Sequence, residues 1–151
     1  MKKLRMFLVL AGIVACSLFS LSFERNRDTV DWISVGEKAP ELIVDGDTIH
    51  FSQLTLVCFW SSVDGSSRER NVALSNKYSG NDSIKFVSVS FDRYPSVFRA
   101  CISQDGLDST KCHLDTLASD SRMYKAYSLN HGYKNCLIDS TGTIIAVNYT
   151  N

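Results

Sequence analysis

The 151-residue chain has no net charge, because its 16 lysines and arginines balance 16 aspartates and glutamates. Basic residues cluster only within the first five positions. A nucleic-acid-binding surface requires a concentrated excess of positive charge, so the composition gives no reason to expect one. The chain also contains no internal repeat and no low-complexity segment, and its hydrophobic content of 44% is ordinary for a globular protein.

Clustered metal ligands are also missing. Zinc ligands usually come as closely spaced cysteine and histidine pairs. Here only Cys112 and His113 adjoin, and the other two histidines are scattered. We therefore predict no metal site and no other cofactor. Ser66 and Ser67 have no evident base partner, so no hydrolytic triad is indicated.

The first 23 residues predict a targeting segment. Three basic residues precede an apolar run, residues 6–15, of the length found in signal peptides. The sequence IVAC, ending at Cys16, resembles a bacterial lipobox, whose cysteine is lipidated and becomes the mature N-terminus. An uncleaved membrane anchor is the alternative, because residues 6–23 are just long enough to span a bilayer. Simple secretion is the third interpretation.

All three interpretations place the rest of the chain outside the cytoplasm, and the first two tether it to a membrane. Residues 24–34 are polar and predict a short tether. Residues 35–151 are long enough for one domain with a core and too short for two. We therefore expect a single domain facing the periplasm of a bacterial cell envelope.

A strand, a turn and a helix organise this domain. Residues 54–60 (LTLVCFW) form a continuous apolar run that predicts a central strand buried on both faces. A turn at Asp64 and Gly65 follows, and Asp64 is a suitable N-cap for a helix that continues to Tyr78. Residues 84–91 then predict a second strand, parallel to the first.

The other predicted elements surround this unit. Asp45 and Gly46 indicate the turn of a hairpin between residues 42–44 and 48–51, which we expect to be accessory to the core. Pro95 favours a helix start and Gly106 a helix end. The remaining elements are a helix over 94–107, a short strand over 111–114, a helix over 117–129 with Met123, Ala126 and Tyr127 on one face, and a hairpin of 133–139 with 143–147.

Separate motifs in this sequence resemble the thioredoxin superfamily, in particular the membrane-tethered thiol-disulfide oxidoreductases of bacterial envelopes, the TlpA and AhpC/TSA-like branch. Residues 59–68 (FWSSVDGSSR) resemble the active-site pattern FWAxWCxxCR. Residues 35–40 (VGEKAP) and 137–144 (LIDSTGTI) are similar to the family's VGxxAP and LIDxxGxI segments. The resemblance covers residues 35–148 and implies an α/β thioredoxin-like fold with a mixed sheet flanked by helices.

We expect this chain to lack the thiol chemistry of the family's active site. The resemblance places Asp64 and Ser67 at the positions of the two cysteines. A carboxylate cannot attack a disulfide, and a serine hydroxyl is too weak an acid to replace the resolving thiol. For Asp64 we favour plain helix capping over any catalytic role.

Two further departures concern binding. The resemblance places Tyr133 where the family has a cis-proline that docks extended substrates. A cis bond before a residue other than proline costs about 2.5–4 kcal/mol, so we predict a trans bond and a changed loop. The family's C-terminal helix also has no counterpart after Val147, so one sheet face near residues 143–147 is expected to lack its usual cover.

The cysteines remain to be assigned. Cys58 and Cys136 are expected in the core as small apolar residues. Cys101 and Cys112 are the better candidates for a disulfide, although four cysteines allow three complete pairings and the sequence does not choose among them.

The sequence therefore favours a non-catalytic binding or assembly module that retains a surface near Trp60, Asp64 and Tyr133, with an unidentified envelope protein as partner. The alternative is an atypical thiol-disulfide oxidoreductase that uses Cys101 and Cys112.

Overall fold

The computed structural model describes residues 33–150. The predicted signal or anchor segment, with Cys16, and most of the predicted tether lie outside these residues. Among the described residues, no helix combines the length and the apolar character needed to cross a bilayer. The strands and α-helices are β1 (Ile43–Val44), β2 (Asp47–Thr48), β3 (Thr55–Trp60), α1 (Gly65–Tyr78), β4 (Lys85–Ser90), α2 (Pro95–Gln104), β5 (Cys112–Leu114), α3 (Arg122–Ala126), β6 (Asn135–Ile138) and β7 (Ile144–Val147).

A mixed five-stranded sheet has the order β5-β4-β3-β6-β7. β3 and β4 run parallel, with α1 as their crossover, and β5 is parallel to β4. β6 is antiparallel to both β3 and β7. The predicted α/β fold, the parallel pair and the final hairpin are confirmed.

Both faces of β3 are covered, which explains its continuous apolar sequence. On one face, Val57 and Phe59 pack with Tyr127 and the alternate residues of β4. On the other face, Leu56 and Cys58 pack with α1. Because side chains alternate across a strand, a strand with cover on both sides buries successive residues, and most of those in β3 are apolar.

The hairpin of β1 and β2 contributes more side chains to the main core than expected. Asp45 and Gly46 both have positive φ, 54° and 86°, so they form the two-residue turn that the Asp-Gly pair predicts. Leu42 and Val44, however, are buried in the main core. The prediction that the hairpin is accessory is therefore wrong, because its apolar side chains close one face of the sheet.

The helix predicted over residues 117–129 is broken. Only Arg122–Ala126 is α-helical, between short 3₁₀ segments at Ala118–Asp120 and Leu129–His131. The Ser121 hydroxyl accepts hydrogen bonds from the backbone N–H groups of Met123 and Tyr124, so a new helix begins at this serine. Met123 and Tyr127 pack in the same core cluster, whereas Ala126, predicted on the same face, is exposed.

Candidate functional site

The turn between β3 and α1 is fixed by Asp64. Its Oδ1 accepts hydrogen bonds from the Ser67 backbone N–H at 2.8 Å and from the Ser66 hydroxyl at 2.9 Å. The bond from the Ser67 N–H is the main cause that lowers the pKa of Asp64 below its ordinary value. Asp64 is thus the N-cap of α1, as predicted.

Ser67 belongs to the same cap. Its side chain is buried, and its hydroxyl donates to the Asp64 carbonyl oxygen at 3.0 Å. The Ser61 backbone N–H donates to the Ser67 hydroxyl oxygen at 3.3 Å. The hydroxyl is therefore occupied by backbone groups of the turn.

Asp92, two residues after the end of β4, is the central acid of the site, and the sequence reasoning missed it. The residue is only 5% exposed. Oδ1 accepts from the Ser61 hydroxyl, the Ser62 hydroxyl and the Ser62 backbone N–H at 2.8–2.9 Å, and Oδ2 accepts from the Ser90 hydroxyl at 2.7 Å. An acid directly after a parallel strand, at the edge where β3 also ends, was the available signal.

Tyr133 lies opposite the turn, and the peptide bond before it is trans, as predicted. Its half-buried ring packs against Phe91 and Tyr124 at centroid distances of 6.2 and 6.0 Å. Burial raises the pKa of its phenol. The Tyr133 carbonyl oxygen accepts a 2.8 Å hydrogen bond from Arg70, so this loop is joined to α1.

Trp60 does not contribute to the surface, contrary to the prediction. Its ring is fully buried, and its Nε1 donates to the Ser88 hydroxyl at 2.8 Å. It packs with Cys101 and Cys112 between the sheet and the helices. The reason is that α1 and α2 cover this end of β3, so the last position of the strand is still interior.

The four cysteines of the described residues are free and buried. Cys101 and Cys112 share one apolar cluster, and no disulfide joins them. Burial raises the pKa of all four thiols, to about 12 for Cys58 and Cys136. Within residues 33–150, no group of three or more metal-binding side chains comes together.

A pocket of about 350 Å³ opens beside Asp92 and Tyr133. Its walls come from the ends of β3 and β4, the start of α2, and the loop before α3. Several apolar side chains at its mouth are strongly exposed: Val63 is 91% exposed and Tyr94 68%, and Leu117, beside the lining residue Ala118, is 60% exposed. Exposed apolar residues gathered around a concave site are typical of a binding surface.

A parallel βαβ unit continued by an antiparallel hairpin, with a site at the turn before the first helix, defines the class of thioredoxin-fold proteins. Comparison with known proteins agrees with this class. A thioredoxin-like protein from Parabacteroides distasonis is 36% identical, with a TM-score of 0.72 over 79% of this chain and 90% of that chain. The chain therefore belongs to the thioredoxin-like proteins.

More distant structures share the fold. A thiol-disulfide oxidoreductase from Bacteroides fragilis is 21% identical, with a TM-score of 0.62 over 76% of this chain and 92% of that chain. The thioredoxin domain of a thiol-disulfide oxidoreductase from Bacteroides vulgatus is 19% identical, with a TM-score of 0.67 over 79% and 91%. No protein-family model and no curated protein matches the chain.

Proposed function

We propose that this protein is a non-catalytic member of its family that binds a partner protein through the pocket beside Asp92 and Tyr133. The observation that carries the proposal is a set of exposed apolar side chains that line this pocket, Val63, Tyr94 and Val97, next to a turn that has no thiol. The expected partner is a protein of the bacterial envelope, to which residues 1–23 would direct and tether the domain.

The chemistry of the turn supports the loss of dithiol activity. Disulfide exchange needs a thiolate at the start of the helix and a second thiol to resolve the mixed disulfide. Asp64 and Ser67 stand at these positions in the resemblance, and both are held in the helix cap. Neither group can accept or release the two electrons of a disulfide.

An insulin-reduction assay tests this loss of activity. We expect no turnover above background for the natural chain. The double variant Asp64→Cys with Ser67→Cys serves as the positive control, since it restores both thiols on the same scaffold. Turnover by the natural chain would overturn the non-catalytic proposal.

Partner capture tests the binding role. The Val63→Glu variant places a charge at the mouth of the pocket, and Ile43→Glu places one on an exposed strand elsewhere. We expect an envelope protein captured by the natural domain to be lost with Val63→Glu and kept with Ile43→Glu. Equal capture by both variants would count against this surface.

The second candidate function is redox chemistry by Cys101 and Cys112. The observation in its favour is that both thiols pack in one cluster. Their burial and raised pKa oppose it, because thiolates are the reactive form. Alkylation and mass measurement with and without reductant test it, and thiols that stay inert under both conditions would exclude this candidate.

Membrane tethering is tested on the full chain. If Cys16 is lipidated, labelled fatty acid is incorporated and Cys16→Ala abolishes the label. If the segment is an uncleaved anchor, the protein stays with the membrane, unlabelled and at full length. Release of a shortened, unlabelled domain would instead indicate simple secretion.

A further inference from the structure

The pocket is lined by the acidic residue Asp92 as well as by apolar side chains at its opening. We propose that it takes a basic side chain, an arginine or a lysine, from an extended segment of the partner protein. This inference rests on the proposed function, because it specifies which chemistry the same surface recognises.

The first observation is a buried carboxylate that forms no direct ion pair, although its charge is near enough to Arg68 to help raise the pKa of that guanidinium. Four neutral donors bind Asp92, and its two carboxylate oxygens accept all four hydrogen bonds. The ion pairs of the described residues all involve other acids. Arg93, the next residue, binds Asp120 at 3.0 Å, and Arg68 binds Asp105 at 2.7 Å.

Buried charges in proteins are normally paired, since the loss of water around an isolated charge is costly. The hydrogen bonds to Asp92 offset part of that cost but bring no positive charge. The pocket lies directly over this group. A cationic guest would supply the direct ion pair that Asp92 does not form within the described residues.

The second observation is the aromatic wall. Phe91, Tyr124 and Tyr133 form a cluster with ring centroids 5.4–6.2 Å apart, and all three line the pocket. A cation is attracted to the faces of aromatic rings, and more strongly where water is displaced. The hydrocarbon stem of a lysine or arginine would pack against exposed Val63 and Val97 at the mouth.

Other guests fit less well. A purely apolar side chain would fill the pocket and leave the Asp92 charge uncompensated in a drier environment. An acidic side chain would meet a carboxylate of the same sign. A basic side chain satisfies both the apolar walls and the buried charge, and the cation that already lines the pocket, Arg93, is paired with Asp120.

Three blocked peptides test the inference. They are identical except for a central arginine, norleucine or glutamate, and each is titrated into the isotope-labelled domain with its full N-terminal segment in detergent. We expect the arginine peptide to shift the amide signals of Ser62 and Tyr124, and norleucine to bind about tenfold more weakly, in line with a partly desolvated cation–π and charge contact. Added salt should reduce this difference.

Variants locate the preference. Asp92→Asn should remove most of the tenfold preference for arginine over norleucine, whereas Asp82→Asn, which changes the net charge equally at an exposed site, should keep it. Tyr124→Leu removes an aromatic face and leaves the hydrogen bonds of Asp92 in place. Tyr124→Leu should weaken arginine binding, and it therefore provides a second test if Asp92→Asn fails to fold.

The outcomes separate the two proposals. If norleucine binds as tightly as arginine at the same signals, the basic preference is wrong and docking at the pocket stands. If Asp82→Asn acts as strongly as Asp92→Asn, the preference reflects overall charge, and the inference is also wrong. If no peptide shifts the pocket signals, both the inference and the docking role of this surface fail.

Discussion

The guanidinium of Arg70, on α1, donates a 2.8 Å hydrogen bond from Nη1 to the carbonyl oxygen of Tyr133. The two residues lie 63 positions apart in the chain. The bond joins the helix that follows the turn to the loop that faces it. It also occupies a backbone group that could otherwise pair with an extended peptide.

Replacement of Arg70 tests this connection. Arg70→Met should lower the free energy of unfolding by about 1–2 kcal/mol, because a charge-assisted hydrogen bond to a half-buried carbonyl is lost. Denaturant titration measures the change. Arg99→Met, at an exposed position of α2, is the control and should change stability little. Equal effects of the two substitutions would show that the bond to Tyr133 contributes nothing.

The cap made by Asp64 gives a second prediction. Asp64→Ala should destabilise the protein by about 0.5–2 kcal/mol, and Asp64→Ser should recover most of that loss, since serine also caps helices. Thermal and denaturant unfolding of the three proteins provide the comparison. A serine variant as unstable as the alanine variant would argue against a capping role.

The same cap predicts a pH dependence. The pKa of Asp64 is lower in the folded state than its ordinary value of 3.8. The charged form therefore adds stability above pH 3.8, and this contribution disappears as the pH falls through the lower, folded pKa. The stability difference between the natural chain and Asp64→Asn should shrink on acidification below pH 3.8. A difference that grows instead would reverse the assigned sign.

The hairpin supplies a matched pair of core and surface substitutions. Leu42→Ala should cost about 2–5 kcal/mol, because it removes a fully buried side chain from the main core. The neighbouring residue Ile43 is 48% exposed, and Ile43→Ala should change stability by no more than about 0.5 kcal/mol. Similar losses at both positions would mean that the hairpin does not dock as described.

The buried thiols predict a loss of stability at high pH. Burial raises the pKa of Cys58 from 9.0 to about 12. The contribution of this buried thiol to stability is complete below pH 9 and is lost as the pH rises through about 12. The reason is that between these two values the thiol ionises in the unfolded chain but stays protonated in the folded one. Each such thiol should contribute about 1.4 kcal/mol per pH unit there. Cys58→Ala should therefore flatten the decline in unfolding free energy between pH 9 and 12, and an unchanged slope would contradict the assignment.

Local sequence signals predicted much of this fold. The continuous apolar run of β3, the capping aspartate after it and the Asp-Gly pair of the first hairpin each depend on interactions within a few residues. Such interactions are visible in sequence because spacing alone sets them. The expected order of strands and helices along the chain, supported by separate motifs, was also correct apart from the broken helix over residues 117–129.

The errors arose where distant segments meet. A strand-end tryptophan such as Trp60 can be exposed or buried, and the packing of α1 and α2 decided that it is buried. Residues 117–129 have a helical pattern of apolar residues, yet a new helix begins at Ser121. The serine hydroxyl accepts hydrogen bonds from backbone N–H groups that would bond to preceding carbonyl groups in a continuous helix.

The sequence by itself determined that the chain has a thioredoxin-like scaffold and that its helix turn lacks thiols, since both properties are written in local patterns. Only the tertiary structure decided where a binding site could lie. Asp92, Ser62 and Tyr133 are separated by 30 residues or more, and the sheet brings them to one edge. No spacing rule predicts a pocket of that kind, because its charge and shape depend on which side chains the folded chain brings together.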